Sequence, residues 1–280
     1  MSFHKSFFLG KKILVTGTTG MLGKDFYNYY KEAEAQVFTL NRADGDLLDF
    51  EFVKRFVDSL EPEIIIHCIA STNLKKCEEK QKETMLLHCG LTHCLSSFKS
   101  KFVYISSDAV INPTNFYAKT KLLGEETSLL NNDESLVVRT NIYGFNSSSG
   151  SSLFEWAYKN LKQGREIGGY TNVLFNALYT KQLVEAVAVL LKNNHRGRIN
   201  VAGNYSISKH HFLKKICEVF NLDSNNLKKI QIDNSGSVKR TCDTTLNVLE
   251  INKLYGIEYN LINGLLQMKN DLENYEKHKH

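Results

Sequence analysis

Three glycines spaced three apart, Gly17, Gly20 and Gly23, stand directly behind a short aliphatic run in Lys11-Lys-Ile-Leu-Val-Thr-Gly-Thr-Thr-Gly-Met-Leu-Gly-Lys-Asp-Phe26. Ile13-Leu14-Val15 has the β-branched, aliphatic character of a strand buried on both faces of a parallel sheet. The residues from Met21 to about Ala33 have the makings of a helix. A strand, a tight turn and a helix in this order form a cradle for a diphosphate. Gly17 permits the sharp turn, Gly20 lets backbone amides approach the anion, and Gly23 lets the helix pack closely on the strand. The helix N-terminus adds unpaired N–H donors and the positive end of its dipole. The spacing is Gly-x-x-Gly-x-x-Gly, not the commoner Gly-x-Gly-x-x-Gly, so the strand before it and the helix after it carry the assignment. Gly17, Thr19, Gly20, Met21 and Leu22 are the candidate cofactor contacts of this turn.

The second strand is expected over Gln36–Leu40. A dinucleotide fold that takes NAD places a carboxylate at the end of this strand, on the ribose hydroxyls. Here the residues are Asn41 and Arg42, and an arginine suits a 2′-phosphate. NADP is therefore favoured, with NAD as the alternative; a solvated surface arginine is the plainer reading of Arg42. Phe50, Val53, Phe56, Val57 and Leu60 repeat at helical spacing and predict a crossover helix. Ile64-Ile65-Ile66 is the next buried strand. It runs into Cys68, Ile69, Ala70 and Thr72, among which small residues allow backbone to approach a cofactor. His67 reads as a strand-end histidine with satisfied hydrogen bonds, ahead of a catalytic one.

Glu78 to about Phe98 reads as one long helix, and Lys101–Ser106 as a strand. Cys89 and His93 are four apart on that helix, but no second pair at metal-site spacing exists, so no metal is expected. Leu136–Arg139 is another strand, Asn146–Ser152 a loop, and Arg198–Val201 a returning strand. Helices are expected over Leu153–Leu161, Thr180–Leu191 and Lys209–Phe220, and a frayed tail over Glu276–His280.

With 280 residues and 42% hydrophobic content, the chain can bury a sizeable core. The net charge of +5 is mild. No basic run interleaved with aromatics points to nucleic acid, and anionic small molecules suit this charge equally well. Six scattered cysteines without a leader pattern predict reduced thiols and a cytoplasmic protein. Phe7-Phe8-Leu9 is too short for a membrane span.

Tyr117 and Lys121 are four apart and share one helix face. A free tyrosine, with a pKa of about 10, is a poor proton donor near neutrality. A nearby ammonium stabilises the phenolate and lowers that value. Lysine can also hold a cofactor's ribose hydroxyls. Ser107, at the end of the preceding strand, can orient a substrate carbonyl. Tyr117 then delivers the proton as hydride arrives from a nicotinamide. Ser107, Tyr117 and Lys121 are the candidate catalytic residues.

Val15-Thr-Gly-Thr-Thr-Gly-Met-Leu-Gly23, Tyr104-Ile-Ser-Ser-Asp108, Tyr117-Ala-Lys-Thr-Lys-Leu-Leu-Gly-Glu125, and Arg139-Thr140 with Tyr143-Gly144 together resemble the extended short-chain dehydrogenase/reductase family. The nearest likeness within it is to the dTDP-4-dehydrorhamnose reductases. The resemblance implies an α/β fold: a Rossmann-like, doubly wound parallel sheet with a smaller C-terminal substrate lobe. The expected division is 1–145 for the dinucleotide domain, with 173–203 returning to it, and 146–172 with 204–280 for the lobe. It further implies that Asp46 and Leu47 lie against adenine, and that Thr72, Asp108, Asn141 and Arg240 face a nucleotide-sugar substrate. A homodimer through the helices around 78–98 and 114–130 is a family expectation.

Three features depart from the family pattern. The Ser107–Tyr117 segment is short, and His67 and His88 stand where asparagines are frequent. The expected activity is NADP-dependent reduction of a 4-keto nucleotide sugar. A sugar-nucleotide epimerase and a non-catalytic NADP-binding regulatory subunit are the alternatives. Ala109, where dehydratases carry a glutamate, argues against dehydration.

Overall fold

The computed structural model describes residues 5–145, 152–233, 239 and 241–277. Arg240 lies outside the described residues. So do 278–280 of the expected tail and all of the expected 146–152 loop except Ser152. A six-stranded, all-parallel sheet forms the centre. Its strands include β1 (Lys12–Thr16), β2 (Gln36–Leu40), β3 (Ile64–His67), β4 (Lys101–Ile105) and β5 (Leu136–Arg139), with Gly197–Asn200 as the sixth. The spatial order is Gly197–Asn200, β5, β4, β3, β1, β2. The chain steps outward from β1 to β2, then crosses back to lay β3 on the other side of β1. That reversal opens a crevice between β1 and β3 at the carboxyl ends of the strands, where open α/β sheets bind ligands.

Side chains alternate across the sheet as the pleat requires. Ile13, Val15, Ile64, Ile66, Val103 and Val138 face one side, with Phe26 of the helix Met21–Glu32 and Leu183 and Val187 of the helix Thr180–Lys192. Leu14, Ile65, Phe102, Tyr104 and Val137 face the other, with Val53 and Val57 of the helix Phe50–Leu60 and Leu91 and Leu95. Both faces are covered, so the central strands β1, β3, β4 and β5 carry near-continuous aliphatic and aromatic runs. A separate cluster unites the helices Leu153–Lys162, Lys209–Phe220 and Leu261–Lys277 through Phe154, Phe212, Leu265 and Met268. The helix Leu249–Tyr255 sends Ile251 into the core on the first face of the sheet.

The long helix expected over Glu78–Phe98 is broken into Leu74–Glu79, Gln81–Met85, a π-helical turn at Leu86–Gly90, and Leu91–Ser96. The first break falls at Lys80, whose φ of −120° and ψ of 57° leave the helical region. The second is the five-residue turn in which Leu91 N–H donates to Leu86 O. The helix Leu261–Lys277 takes in Glu276 and Lys277, the first two residues of the expected frayed tail.

Candidate active site

The turn after β1 is built as its sequence demands. Gly17 has φ +75°, and a Cβ on Gly23 would stand 2.3 Å from Gly17 O. The backbone there can close only because both side chains are missing. Gly20 caps the helix Met21–Glu32 with no side-chain bond, so no side chain competes for the first amides. Asn41 braces the turn from β2: its Nδ2 donates to Thr18 Oγ1 at 3.0 Å, and its Oδ1 accepts from Thr19 N–H at 3.4 Å.

A cavity of about 780 Å³ opens over this turn. It collects the carboxyl ends of five strands. Gly17, Thr19, Gly20, Met21 and Leu22 come from β1, and Asn41, exposed Arg42 and buried Leu47 from beyond β2. Cys68, Ile69, Ala70 and Thr72 follow β3; Ser107 and Asp108 follow β4; Asn141 follows β5; and Tyr117 and Lys121 rise from the helix Phe116–Asn131. Asp46 is apart from this lining, where its Oδ1 accepts Leu48 N–H at 2.9 Å in a local turn. Ser106, Thr140, Ile142, Ser152 and Glu155 also line the cavity, beyond those expected from sequence. The last two were within reach of sequence reasoning. Ser152-Leu-Phe-Glu155 has the spacing of a capping box, and both reciprocal bonds are present.

The helix bearing Tyr117 is fixed at its start by two acceptors. Asn115 Oδ1 takes Ala118 N–H at 2.9 Å, and Glu78 Oε1 takes Phe116 N–H at 2.7 Å. The short Ser107–Tyr117 segment is a 3₁₀ turn, Asp108–Ile111, followed by residues tied to the C-terminal part of the chain. Asn115 Nδ2 donates to Lys239 O at 3.1 Å, and Thr241 Oγ1 to Asn112 O at 2.8 Å.

Ser107 Oγ donates to Asp108 Oδ1 at 3.0 Å and accepts Ala109 N–H at 3.2 Å. Asn141 Nδ2 donates to the other carboxylate oxygen of Asp108. Burial pushes the Tyr117 hydroxyl up to about 12, its hydrogen bond with Ser107 draws it back, and the Asp108 carboxylate raises it further.

Lys121 corrects an expectation. Its ammonium does not depress the tyrosine. Nζ donates to Ile105 O at 2.7 Å and lies 4.0 Å from the centre of the Tyr104 ring. Burial lowers Lys121 to about 7, against the raising influence of Glu125. Glu125, fully buried one turn on, is held by Arg139 at 2.7 Å, Arg198 at 3.2 Å and the Ser106 hydroxyl at 2.5 Å.

His67 is a strand-end residue whose Nδ1 lies 2.9 Å from Thr16 Oγ1. Contrary to the satisfied histidine expected, its buried Nε2 has no hydrogen-bond partner among the described residues. Burial and the Lys121 ammonium hold His67 at about 3, so it is neutral. Cys89 and His93 face different neighbours: Cys89 Sγ donates to Thr120 O at 3.3 Å, and His93 Nδ1 is 2.8 Å from Asn131 Nδ2.

Known proteins resemble this chain, some in sequence and others in fold. The chain is 27% identical over 233 residues to the spore coat polysaccharide biosynthesis protein SpsK of Bacillus subtilis (strain 168), covering 76% of this chain and 81% of that protein. It is 24% identical over 278 residues to the methionine adenosyltransferase 2 subunit beta of Xenopus tropicalis, covering 88% and 83%. The crystal structure of dTDP-4-dehydrorhamnose reductase from Bacillus anthracis, in complex with NADP, superposes with a TM-score of 0.86 at 20% identity, over 94% of this chain and 100% of the other. The sequence model of the RmlD substrate binding domain matches residues 11–269, nearly the whole of the fold described above, and the chain belongs to that family.

Proposed function

We propose that the protein reduces the keto group of a nucleotide sugar, at C4 of the sugar, with NADPH. One observation carries the reading: Ser107, Tyr117 and Lys121 line the same cavity as the glycine turn. The turn fits the cofactor, since the absence of side chains on Gly17 and Gly23 lets it close tightly and the helix start is uncapped by side chains. Bound NADPH would supply the hydride. Gly17–Leu22 would hold its diphosphate, Arg42 the 2′-phosphate, Leu47 the adenine, and Lys121 the nicotinamide ribose. Cys68, Ile69 and Ala70 would wall the nicotinamide. Ser107 orients the substrate carbonyl and Tyr117 gives the proton to its oxygen, leaving an alcohol. Thr72, Asp108 and Asn141 line the side left for the sugar.

The test is stoichiometric. The protein is incubated with NADPH and a panel of 4-keto-6-deoxy nucleotide sugars, while absorbance loss and product mass are followed. One NADPH consumed per product two hydrogens heavier supports the reading. An isomerised product without net consumption moves it to an epimerase.

A second reading, a nucleotide-binding regulatory subunit, draws on the likeness to the methionine adenosyltransferase subunit and on the Lys121 ammonium being engaged by Ile105 O. Absence of reaction with every keto sugar, together with tight NADPH binding, would favour it. The ketoreductase reading also includes a homodimer, supported by Leu123 and Leu130, exposed at 47% and 84% on the Tyr117 helix. Light scattering on the purified protein tests that.

A further inference from the structure

His88 is almost fully buried on the π-helical turn and is absent from the cavity lining, yet it touches two segments that build the cavity, the one around Ser71 and the helix Phe116–Asn131. Its Nε2 accepts the backbone N–H of Ser71 at 2.9 Å. Ser71 stands between Ala70 and Thr72, both of which line the cavity. Because Nε2 accepts, a neutral ring carries its proton on Nδ1, and that atom lies 2.8 Å from Thr120 Oγ1. The Thr120 hydroxyl then spends its own proton on the first turn of the catalytic helix, with Phe116 O at 2.9 Å and Tyr117 O at 3.0 Å. The imidazole also stands against the Tyr117 ring, centroids 5.7 Å apart and planes at 83°.

Both ring nitrogens are therefore engaged by protein. A proton added to Nε2 would meet the Ser71 N–H head-on, and burial with the Lys121 ammonium holds the group at about 3. A proton relay needs a nitrogen open to the cavity, and neither nitrogen of His88 is. The π-turn brings the ring to this place: its extra residue per turn rotates the helix face. The backbone is equally tight here, since a Cβ on Gly124 of the catalytic helix would lie 2.9 Å from His88 O.

We propose that His88 is a positioning residue, a neutral strut that spaces the Ala70–Thr72 edge from the first turn of the catalytic helix and so sets where the Tyr117 ring stands. Its effect on turnover rests on the ketoreductase reading; the strut itself does not.

Residue-resolved amide exchange at Ser71, in the ligand-free protein, tests the strut without substrate. His88→Phe keeps a ring but no acceptor and is expected to speed Ser71 exchange by about tenfold or more. Thr120→Val, which touches Ser71 only through His88, is expected to speed it as well, and the double variant to exchange no faster than His88→Phe alone. His88→Gln, whose amide oxygen can reach the Ser71 N–H, should restore much of the protection. Parental exchange at Ser71 in Thr120→Val would overturn the strut. With a working keto sugar, His88→Phe should lower kcat by about 10- to 100-fold and leave the substrate KM within about threefold. Faster Ser71 exchange with unchanged kcat would overturn the positioning role. If the parent reduces no keto sugar, the proposed function fails and the exchange cycle still decides the strut.

Discussion

The Lys121 ammonium donates to the carbonyl oxygen of Ile105 at 2.7 Å, one residue before the Ser106–Ser107 strand end. The lysine is thus anchored to the sheet while it lines the cavity, and the charge that acts on it most is that of Glu125 on its own helix. Burial lowers it to about 7. Folding then releases a proton that the unfolded chain keeps up to about pH 10. Between these values the unfolded state binds more protons, so stability rises with pH across that window. Urea unfolding of the cofactor-free protein from pH 7 to 10 should show this rise, and Lys121→Met should remove it. NADPH affinity should fall as pH passes upward through 7, because the lysine loses the charge that attracts the anion. A pH-independent difference between parent and Lys121→Met would contradict both.

Glu125 links the helix Phe116–Asn131 to two strands through Arg139 and Arg198, and to the Ser106 hydroxyl. Removing its charge leaves two arginines partly buried without their shared partner. Glu125→Gln should cost about 3–5 kcal/mol of stability, read by urea unfolding. It should also move the Lys121 titration to lower pH, since the carboxylate is what holds that value up.

Tyr117→Phe deletes the hydroxyl proposed as the proton donor and little else. The expected result is a loss of about 10²–10⁴ in kcat with NADPH binding nearly unchanged. Near-parental turnover would show that another group delivers the proton.

Arg42 is the cation at the end of β2 on the cavity rim. Arg42→Asp should weaken NADPH binding and leave NADH binding equal or better, by adding repulsion toward a 2′-phosphate. Fluorescence titration with both cofactors measures it. Comparable dissociation constants in the parent would remove the case for NADP preference, and high salt should narrow the gap because the side chain is exposed.

Gly23→Ala places a methyl 2.3 Å from Gly17 O, a backbone atom that cannot swing aside. The turn must open to admit it. Such overpacking costs typically about 1–3 kcal/mol, and NADPH binding should be lost by more than this stability change accounts for.

Much of the site was legible because its residues obey short-range rules. Strand, glycine turn and helix are adjacent in sequence, and Tyr117 with Lys121 need only the four-residue repeat of one helix. What spacing cannot give is a rotamer. The same repeat that put Lys121 on the face of Tyr117 left open that its amine would bond to Ile105 O, a choice made by β4 ending beneath it. The π-turn is invisible for a related reason. Leu86–Gly90 carries no helix breaker before Gly90, and the turn is selected by contacts far along the chain, at Ser71 and Thr120. The helix Leu261–Lys277 was a missed signal, since Leu261, Leu265 and Met268 recur at helical spacing and all are buried. Glu155 reached the cavity lining through its place in a capping box, not through any catalytic pattern.

The sixth sheet strand has a consequence for the life of the chain on the ribosome. β5 finds its outer neighbour in Gly197–Asn200, roughly sixty residues further on, after the helices Leu153–Lys162 and Thr180–Lys192 have been made. At synthesis rates of about 5–20 residues per second, β5 waits on the order of 3–12 s with its backbone edge unpaired. During that interval Arg198 has not yet reached Glu125, so the buried carboxylate has only Arg139 to neutralise it. A nascent chain arrested before residue 197 therefore exposes an apolar, unpaired strand beside an incompletely neutralised acid, a state suited to capture by a chaperone and prone to edge-to-edge aggregation.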